Sequence, residues 1–111
     1  PFPGVMGVAL DEPGGHSTMP PRKNGGNMDI KQLVAGTTLL LPVWVDDALF
    51  SVGDAHAAQG DGEVCVTAIE MMAQVTLRFG LETARLARAH GLGVMTPAQW
   101  QRQAATTRGD D

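Results

Sequence analysis

The sequence is poor in cysteine, in aromatic residues and in positive charge. Cys65 is the single cysteine among 111 residues, so no internal disulfide can form and the fold needs no oxidising compartment. We therefore expect a cytoplasmic protein. Lysine and arginine number 8 against 12 aspartates and glutamates, which gives a net charge of -4. This balance argues against nucleic acid and anionic membranes as partners, because both require a basic surface.

Long apolar runs are lacking as well. No segment approaches the roughly 20 apolar residues of a membrane-spanning helix, and the first residues do not resemble a secretory signal. A hydrophobic share of 43% and a charged share of 18% fit one soluble globular domain. The chain begins with Pro1 rather than Met, which suggests a processed start or a piece of a longer protein.

Apolar and β-branched residues are grouped into short segments that read as strands. Val75, Leu77 and Phe79 alternate with polar residues, a pattern typical of a half-buried strand. The apolar segment 37–45 contains Pro42. Because proline cannot donate a hydrogen bond to a neighbouring strand, we expect this strand at a sheet edge or at a bulge. Only residues 71–73 separate the last two strands, so we expect these strands to pair as an antiparallel hairpin. The predicted strands cover residues 5–10, 37–45, 48–54, 63–70 and 74–79.

After Gly80 the sequence favours helix. Residues 81–91 contain strong helix formers and end on a glycine suited to a C-cap, and residues 96–106 begin with Thr96 as an N-cap followed by proline. The predicted fold is mainly β, a meander or partial sandwich of antiparallel strands, with a short helical C-terminal end.

The stretch GDAHAAQGDGE, residues 53–63, concentrates polar side chains among small residues. Asp54 and His56 are two positions apart, so on an extended backbone both side chains point the same way and could grip one ion. Glu63 follows a flexible turn, where it could act as a general base or as a third ligand. The alternative is an ordinary hairpin loop, in which His56 is only a hydrogen-bonded structural histidine.

Two longer motifs resemble those of the acetamidase/formamidase family. They are GGNMDIKQLVAGTTLLLPVWV, residues 25–45, and ALFSVGDAHAAQGDGEVCVTAIE, residues 48–70, with GVMGVAL and HSTMPPR in the same order before them. The resemblance covers about residues 1–79. It implies a metal-assisted hydrolase that splits a small linear amide, formamide or acetamide, into a carboxylic acid and ammonia. It also implies a jelly-roll-like sandwich that forms homo-oligomers through strand edges, in members roughly two to three times as long as this chain.

The same resemblance divides the chain in two. Residues 1–80 read as a β segment that is incomplete relative to the family, and residues 81–111 as a helical tail that departs from it. A truncated or frameshifted reading frame would produce this pattern, and so would a genuine short homologue.

Amide hydrolysis requires a nucleophile, a group that stabilises the oxyanion and an acid for the departing nitrogen. We assign Asp54 and His56 as metal ligands. Glu63 and Asp29 are the predicted catalytic carboxylates. The divalent metal stays open between zinc, which prefers nitrogen and sulfur ligands, and calcium, which accepts carboxylate and carbonyl oxygens.

Asn27 and Gln59 are the predicted substrate-binding residues, because an amide side chain can orient an amide substrate. Asn27 and Asp29 could instead cap a turn. Glu70 could face the same pocket or merely end its strand.

Two other functions fit the same residues. A non-catalytic β module would bind metal or oligomerise without turning over an amide. An inactive truncated homologue would fold poorly and hold no stoichiometric metal. Both alternatives arise because an incomplete sandwich exposes unpaired edges and apolar faces.

Overall fold

Four strands form one antiparallel sheet in the computed structural model, which describes residues 1–81. Strand β1 spans Phe2–Gly7, β2 spans Gly25–Asn27, β3 spans Ser51–Ala58 and β4 spans Ile69–Glu70. Their order in space is β2-β1-β3-β4, so the N-terminal strand is internal. The predicted mainly β, antiparallel character is confirmed. The jelly-roll-like sandwich and the division at residue 80 stay predictions.

Strand β1 organises the sheet because it pairs with two neighbours. Its residues Val5 to Gly7 pair with β2, and its whole length from Phe2 to Gly7 pairs with β3. This register sets Phe2 directly opposite His56. The first residues of the chain therefore lie beside the histidine that the sequence marked as a ligand.

The core lies on one face of β1. Phe2, Gly4 and Met6 are two positions apart and all buried, as the alternation of side chains across a strand requires. Val8 extends this buried row beyond the strand. His56 is fully buried against it, with its ring edge-to-face to that of Phe2 at 5.1 Å between centroids. A polar ring thus occupies a core position.

A tight turn brings β2 alongside β1. Arg22 and Gly25 exchange two main-chain hydrogen bonds, of 2.9 and 3.0 Å. Gly25 has a φ of 86°, which lies in the left-handed region that glycine tolerates best. The main-chain N–H of Val8 donates to the Asn24 carbonyl at 3.0 Å, which holds the turn against the end of β1.

The predicted strand at residues 37–45 is wrong, because these residues form no strand. Side-chain contacts hold the segment in place of a backbone ladder. Leu41 packs against Gly25, and the Trp44 indole N–H donates to the Lys23 carbonyl at 3.3 Å. The Lys23 ammonium also lies 4.2 Å from the centre of the Trp44 ring, within cation–π range. The apolar composition that suggested a strand serves this packing.

Of the strand predicted at residues 63–70, only Ile69–Glu70 forms, because residues 63–66 form a turn. The Val66 N–H donates to the Glu63 carbonyl at 2.8 Å, and Val66 has a φ of 67°. Strand β4 then pairs with β3. The turn leaves Glu63 beside β3 rather than on a strand of its own.

The hairpin predicted around residues 71–73 does not form. Met71 instead continues the pairing of β4 with β3, because its N–H donates to the Ala55 carbonyl at 2.9 Å. Residues 74–79 form no strand, so the alternation of apolar side chains there was a misleading signal. Periodicity can identify a segment able to join a sheet, but a strand also needs a partner backbone.

The strands predicted at residues 5–10 and 48–54 are confirmed as β1 and β3, with shifted bounds. The helices predicted at residues 81–91 and 96–106 fall, beyond Leu81, outside the described residues. Within residues 1–81, no helix has the length and apolar character that crossing a membrane demands.

We expect Gly25→Ala to destabilise the chain. A left-handed backbone costs a non-glycine residue about 1–3 kcal/mol, and the added Cβ would stand 2.6 Å from the Met6 carbonyl oxygen. Urea unfolding followed by circular dichroism should show a lower midpoint. Gly15→Ala is the matched control, since a Cβ there meets nothing within 4 Å. An equal midpoint for the two variants would contradict this account.

Candidate functional site

The site is centred on the buried side chain of His56. Strand β3 carries this ring on the same face of the sheet as Phe2, its partner on β1, and only 1% of the side chain is exposed. One ring nitrogen, Nδ1, lies 2.7 Å from Oε1 of Gln59. The other, Nε2, faces a group of acidic side chains.

Four carboxylates surround Nε2 of His56. Their nearest oxygens lie at 3.2 Å for Asp54, 3.5 Å for Glu70, 3.9 Å for Asp29 and 4.0 Å for Glu63. These residues come from β3, from β4, from the loop after β2 and from the turn before β4, so the sheet assembles the cluster. Two overlapping sets, one with Asp29 and Asp54 and one with Glu63 and Glu70, each place three ligand atoms within 4.8 Å of one another.

Strand β1 fixes the position of Asp29. The main-chain N–H groups of Met28 and Asp29 both donate to the Gly4 carbonyl, at 3.1 and 3.0 Å. Asp29 has a φ of 49°, and its carbonyl accepts a hydrogen bond of 2.9 Å from Nε2 of Gln59. The backbone of this residue is therefore held from two sides while its carboxylate faces His56.

Gly4 makes room for two of the carboxylates. A Cβ at this position would lie 2.7 Å from Oδ1 of Asp29 and 2.9 Å from Oδ2 of Asp54. Asp54 has a φ of 55°, an uncommon conformation for a residue with a side chain. Such costly conformations persist where the surroundings enforce them, often at functional sites.

One oxygen in the cluster lacks a partner. Oδ1 of Asp29 is buried and, among the described residues, accepts no hydrogen bond. Leaving a charged acceptor unsatisfied in the interior is costly. An imidazole nitrogen with several carboxylate oxygens is a donor set that divalent cations accept. The residues present therefore fit a divalent metal ion.

The concentration of acidic groups displaces the pKa values of the site. Burial raises the pKa of Asp29 to about 6, and the adjacent Glu63 carboxylate contributes to the rise. Burial and Glu70 also raise the pKa of Asp54. Burial lowers the pKa of His56, but its Nδ1 hydrogen bond and the carboxylates outweigh that effect, so its pKa is raised. The cluster favours any added positive charge, whether a proton or a metal ion.

A model of the acetamidase/formamidase family matches residues 4–102. The chain belongs to this family. It is 47% identical to a formamidase of Methylophilus methylotrophus over 68 residues, which are 60% of this chain and 17% of that protein. It is 52% identical to an acetamidase of Mycolicibacterium smegmatis over 50 residues, 45% of this chain and 12% of that protein. A putative formamidase of Schizosaccharomyces pombe is 48% identical over 66 residues, 58% of this chain and 16% of that protein. No solved structure matches.

The matched residues cover less than a fifth of the length of each of these curated relatives. Because 68 residues are 17% of the formamidase, that relative is more than three times as long as this chain, beyond the two- to threefold that the motifs suggested. The family match also runs past residue 79, to which the resemblance in the sequence extends.

The structure brings together four of the residues that the sequence singled out, Asp29, Asp54, His56 and Glu63. Their roles as ligands or catalytic groups stay predictions. Glu70 faces the same cluster, which was one of the two readings of that residue.

The two predicted substrate-binding residues have different positions. Asn27 lies apart from the cluster, and its Nδ2 donates to the Met19 carbonyl at 2.9 Å. Gln59 is adjacent to the cluster, but both ends of its amide are engaged by His56 and Asp29. Substrate binding by either residue stays a prediction.

Sequence reasoning missed Phe2 and Gly4, which cover His56 and make space for the carboxylates. A signal for Gly4 existed, because a glycine inside an apolar strand often marks a close approach of other groups. Phe2 carries no such signal in the sequence. Only the pairing of β1 with β3 gives it a place in the site.

We predict that Glu63→Gln lowers the pKa of Asp29 in the metal-free chain. The carboxylate of Glu63 disfavours ionisation of Asp29, so the substitution should leave burial as the main cause of the rise and bring the midpoint below about 6. Carbon-detected NMR titration of the Asp29 carboxyl measures this shift directly.

The matched control is Glu12→Gln, because Glu12 pairs with Lys23 away from the cluster. A midpoint that stays at about 6 in Glu63→Gln would show that Glu63 does not act on Asp29.

Proposed function

We propose that this chain supplies the metal-binding part of an enzyme that hydrolyses a small linear amide, formamide or acetamide, to a carboxylic acid and ammonia. The observation that carries the proposal is the convergence of acidic side chains on Nε2 of one buried histidine, all within 4.0 Å. It is supported by relatives whose names are formamidase and acetamidase.

The proposed ligands are His56, Asp54 and Asp29. Asp29 joins them because its buried Oδ1 lacks a hydrogen-bond partner among the described residues and belongs to the same three-atom set. This role replaces that of a separate catalytic carboxylate. A divalent zinc or calcium ion held there would polarise the amide carbonyl, and zinc would also lower the pKa of a bound water to about 7.

Glu63 is the proposed general base. Its carboxylate lies 4.0 Å from Nε2 of His56, and 19% of the side chain is exposed, so it borders the cluster and remains accessible to water. In this role Glu63 takes the proton from the attacking water. The protonated carboxyl then delivers that proton to the departing nitrogen, which is otherwise a poor leaving group. One side chain can thus act first as base and then as acid.

The test is ammonia release from formamide and acetamide by the purified chain, with metal content measured on the same sample. We expect turnover that depends on bound metal. Asp54→Asn should reduce the turnover more than about 10–100-fold, because the substitution weakens a ligand directly. Loss of a group that only contacts a ligand costs about 10–100-fold. Asp46→Asn, at an exposed aspartate outside the cluster, is the matched control and should be unchanged.

Gly4→Ala tests whether the gap between two ligands matters. The added Cβ would crowd Oδ1 of Asp29 and Oδ2 of Asp54, and should weaken binding of zinc or calcium about 10–100-fold, as displacement of ligand-orienting groups does. Calorimetric titration measures the affinity.

Gly53→Ala is the control for this glycine, since a Cβ there meets nothing within 4 Å although Gly53 adjoins Asp54. Equal affinities in the two alanine variants would refute the proposed ligand set.

Exposed apolar side chains favour a second candidate, a non-catalytic module that binds metal and associates through its strand edges. Val64 is 99% exposed, Met72 95% and Val66 82%. The edge strands β2 and β4 have only 3 and 2 residues. Stoichiometric metal without ammonia release, together with a dimer or larger species in sedimentation, would select this candidate over the enzyme. A purified chain that shows neither bound metal nor ammonia release would refute both candidates.

A further inference from the structure

We propose that Gln59 keeps the proton of His56 on Nδ1 and thereby leaves the lone pair of Nε2 facing the carboxylates. Gln59 is then a positioning residue that acts through two of the proposed ligands. The position of the proton follows from hydrogen bonds alone. Its consequence for metal binding rests on the proposed function.

The main-chain carbonyl of Asp29 fixes the orientation of the Gln59 amide. A carbonyl oxygen can only accept a hydrogen bond, so the group facing it at 2.9 Å must be Nε2 of Gln59. The reverse orientation would set two oxygens against each other. Oε1 of Gln59 is therefore the atom on the histidine side.

This orientation in turn fixes the ring of His56. Oε1 of Gln59 can only accept, and it lies 2.7 Å from Nδ1, so Nδ1 must carry a proton and donate it. A neutral imidazole has one N–H group, which leaves Nε2 as an acceptor. Phe2 covers the ring edge-to-face, so the ring is enclosed between an apolar neighbour and these polar contacts.

Nε2 then presents its lone pair towards Oδ2 of Asp54 at 3.2 Å and Oδ1 of Asp29 at 3.9 Å. Electron pairs that face each other at such distances require a positive charge between them. A proton supplies it in the metal-free chain, where Nε2 and Oδ2 of Asp54 lie within hydrogen-bond distance, and a metal ion would take the place of that proton. Because Gln59 contacts both His56 on β3 and Asp29 in the loop after β2, it sets the tautomer of one ligand and the backbone position of the other.

The experiment is a long-range proton–nitrogen NMR correlation on the metal-free chain, at a pH where the His56 ring is neutral. The unsubstituted chain should show mainly the Nδ1–H tautomer. Gln59→Leu removes the acceptor and should shift the ring towards Nε2–H. Gln59→Glu retains an acceptor for Nδ1 but loses the N–H that faces the Asp29 carbonyl, so it should keep Nδ1–H while releasing the Asp29 backbone. The exposed Gln74 provides the matched control, Gln74→Leu, which should behave as the unsubstituted chain does.

A predominant Nε2–H form in the unsubstituted chain would overturn the proposal, and so would an unchanged tautomer in folded Gln59→Leu. Should Gln59→Leu lose its dispersed amide spectrum, the unsubstituted chain and Gln59→Glu decide the matter. Loss of the Nδ1–H form in Gln59→Glu would then overturn it.

Zinc titration gives the second readout. Affinity should fall about 10–100-fold in Gln59→Leu, the usual cost of losing a group that orients a ligating histidine, and should not change in Gln74→Leu. Equal zinc affinities in Gln59→Leu and the unsubstituted chain would refute the positioning role. Failure of the unsubstituted chain to bind zinc or calcium would refute the proposed metal site instead, and the tautomer measurement would still judge Gln59.

Discussion

Four carboxylates cannot surround one imidazole nitrogen without a positive charge among them. Two like charges 4 Å apart repel by about 4 kcal/mol near a protein surface, and the ligand atoms of each three-residue set around His56 lie within 4.8 Å of one another. The structure responds with raised pKa values, which retain protons in the cluster. A divalent ion would replace those protons, so binding of metal and release of protons are coupled.

Strand β1 is the element through which the fold creates this cluster. Its carbonyl at Gly4 holds the loop that carries Asp29, the missing side chain at the same residue leaves space for the carboxylates, and Phe2 covers the histidine. Phe2, Met6 and Val8 are the buried hydrophobic residues of the described part of the chain. The core is therefore small and includes the site, so the residues that stabilise the sheet are also those that shape the cluster.

Much of the site could be predicted from sequence because it is local. Asp54 and His56 are two positions apart and Glu63 follows after a turn, so closeness in the sequence already keeps them near each other, although the φ of 55° at Asp54 departs from the extended backbone that the prediction assumed. The motif GGNMD added Asp29. The roles of Phe2 and Gly4 could not be predicted, since they depend on pairing between β1 and β3 and leave only a weak signal in the sequence.

The errors in the predicted fold have a common physical origin. Residues 37–45 and 74–79 have the composition and periodicity of strands, yet a strand requires another backbone to accept and donate its hydrogen bonds. Residues 37–45 are held by side-chain contacts, such as those of Trp44 with Lys23, and not by a strand ladder. Val66 adopts a left-handed conformation that its β-branched side chain disfavours, so the turn that shortens β4 ran against local preference.

The pairing of β1 with β3 also determines when the cluster forms during folding. These strands stand at opposite ends of the first 58 residues of the chain, so their pairing closes a long loop and carries a large entropic cost. Non-local pairings of this kind are slow compared with local turns. Residues 53–63 can acquire their local conformation early, but Asp29 and the covering Phe2 reach them only after the loop has closed. Before β1 pairs with β3, the chain contains every acidic residue of the cluster, but these residues are not yet assembled into a site.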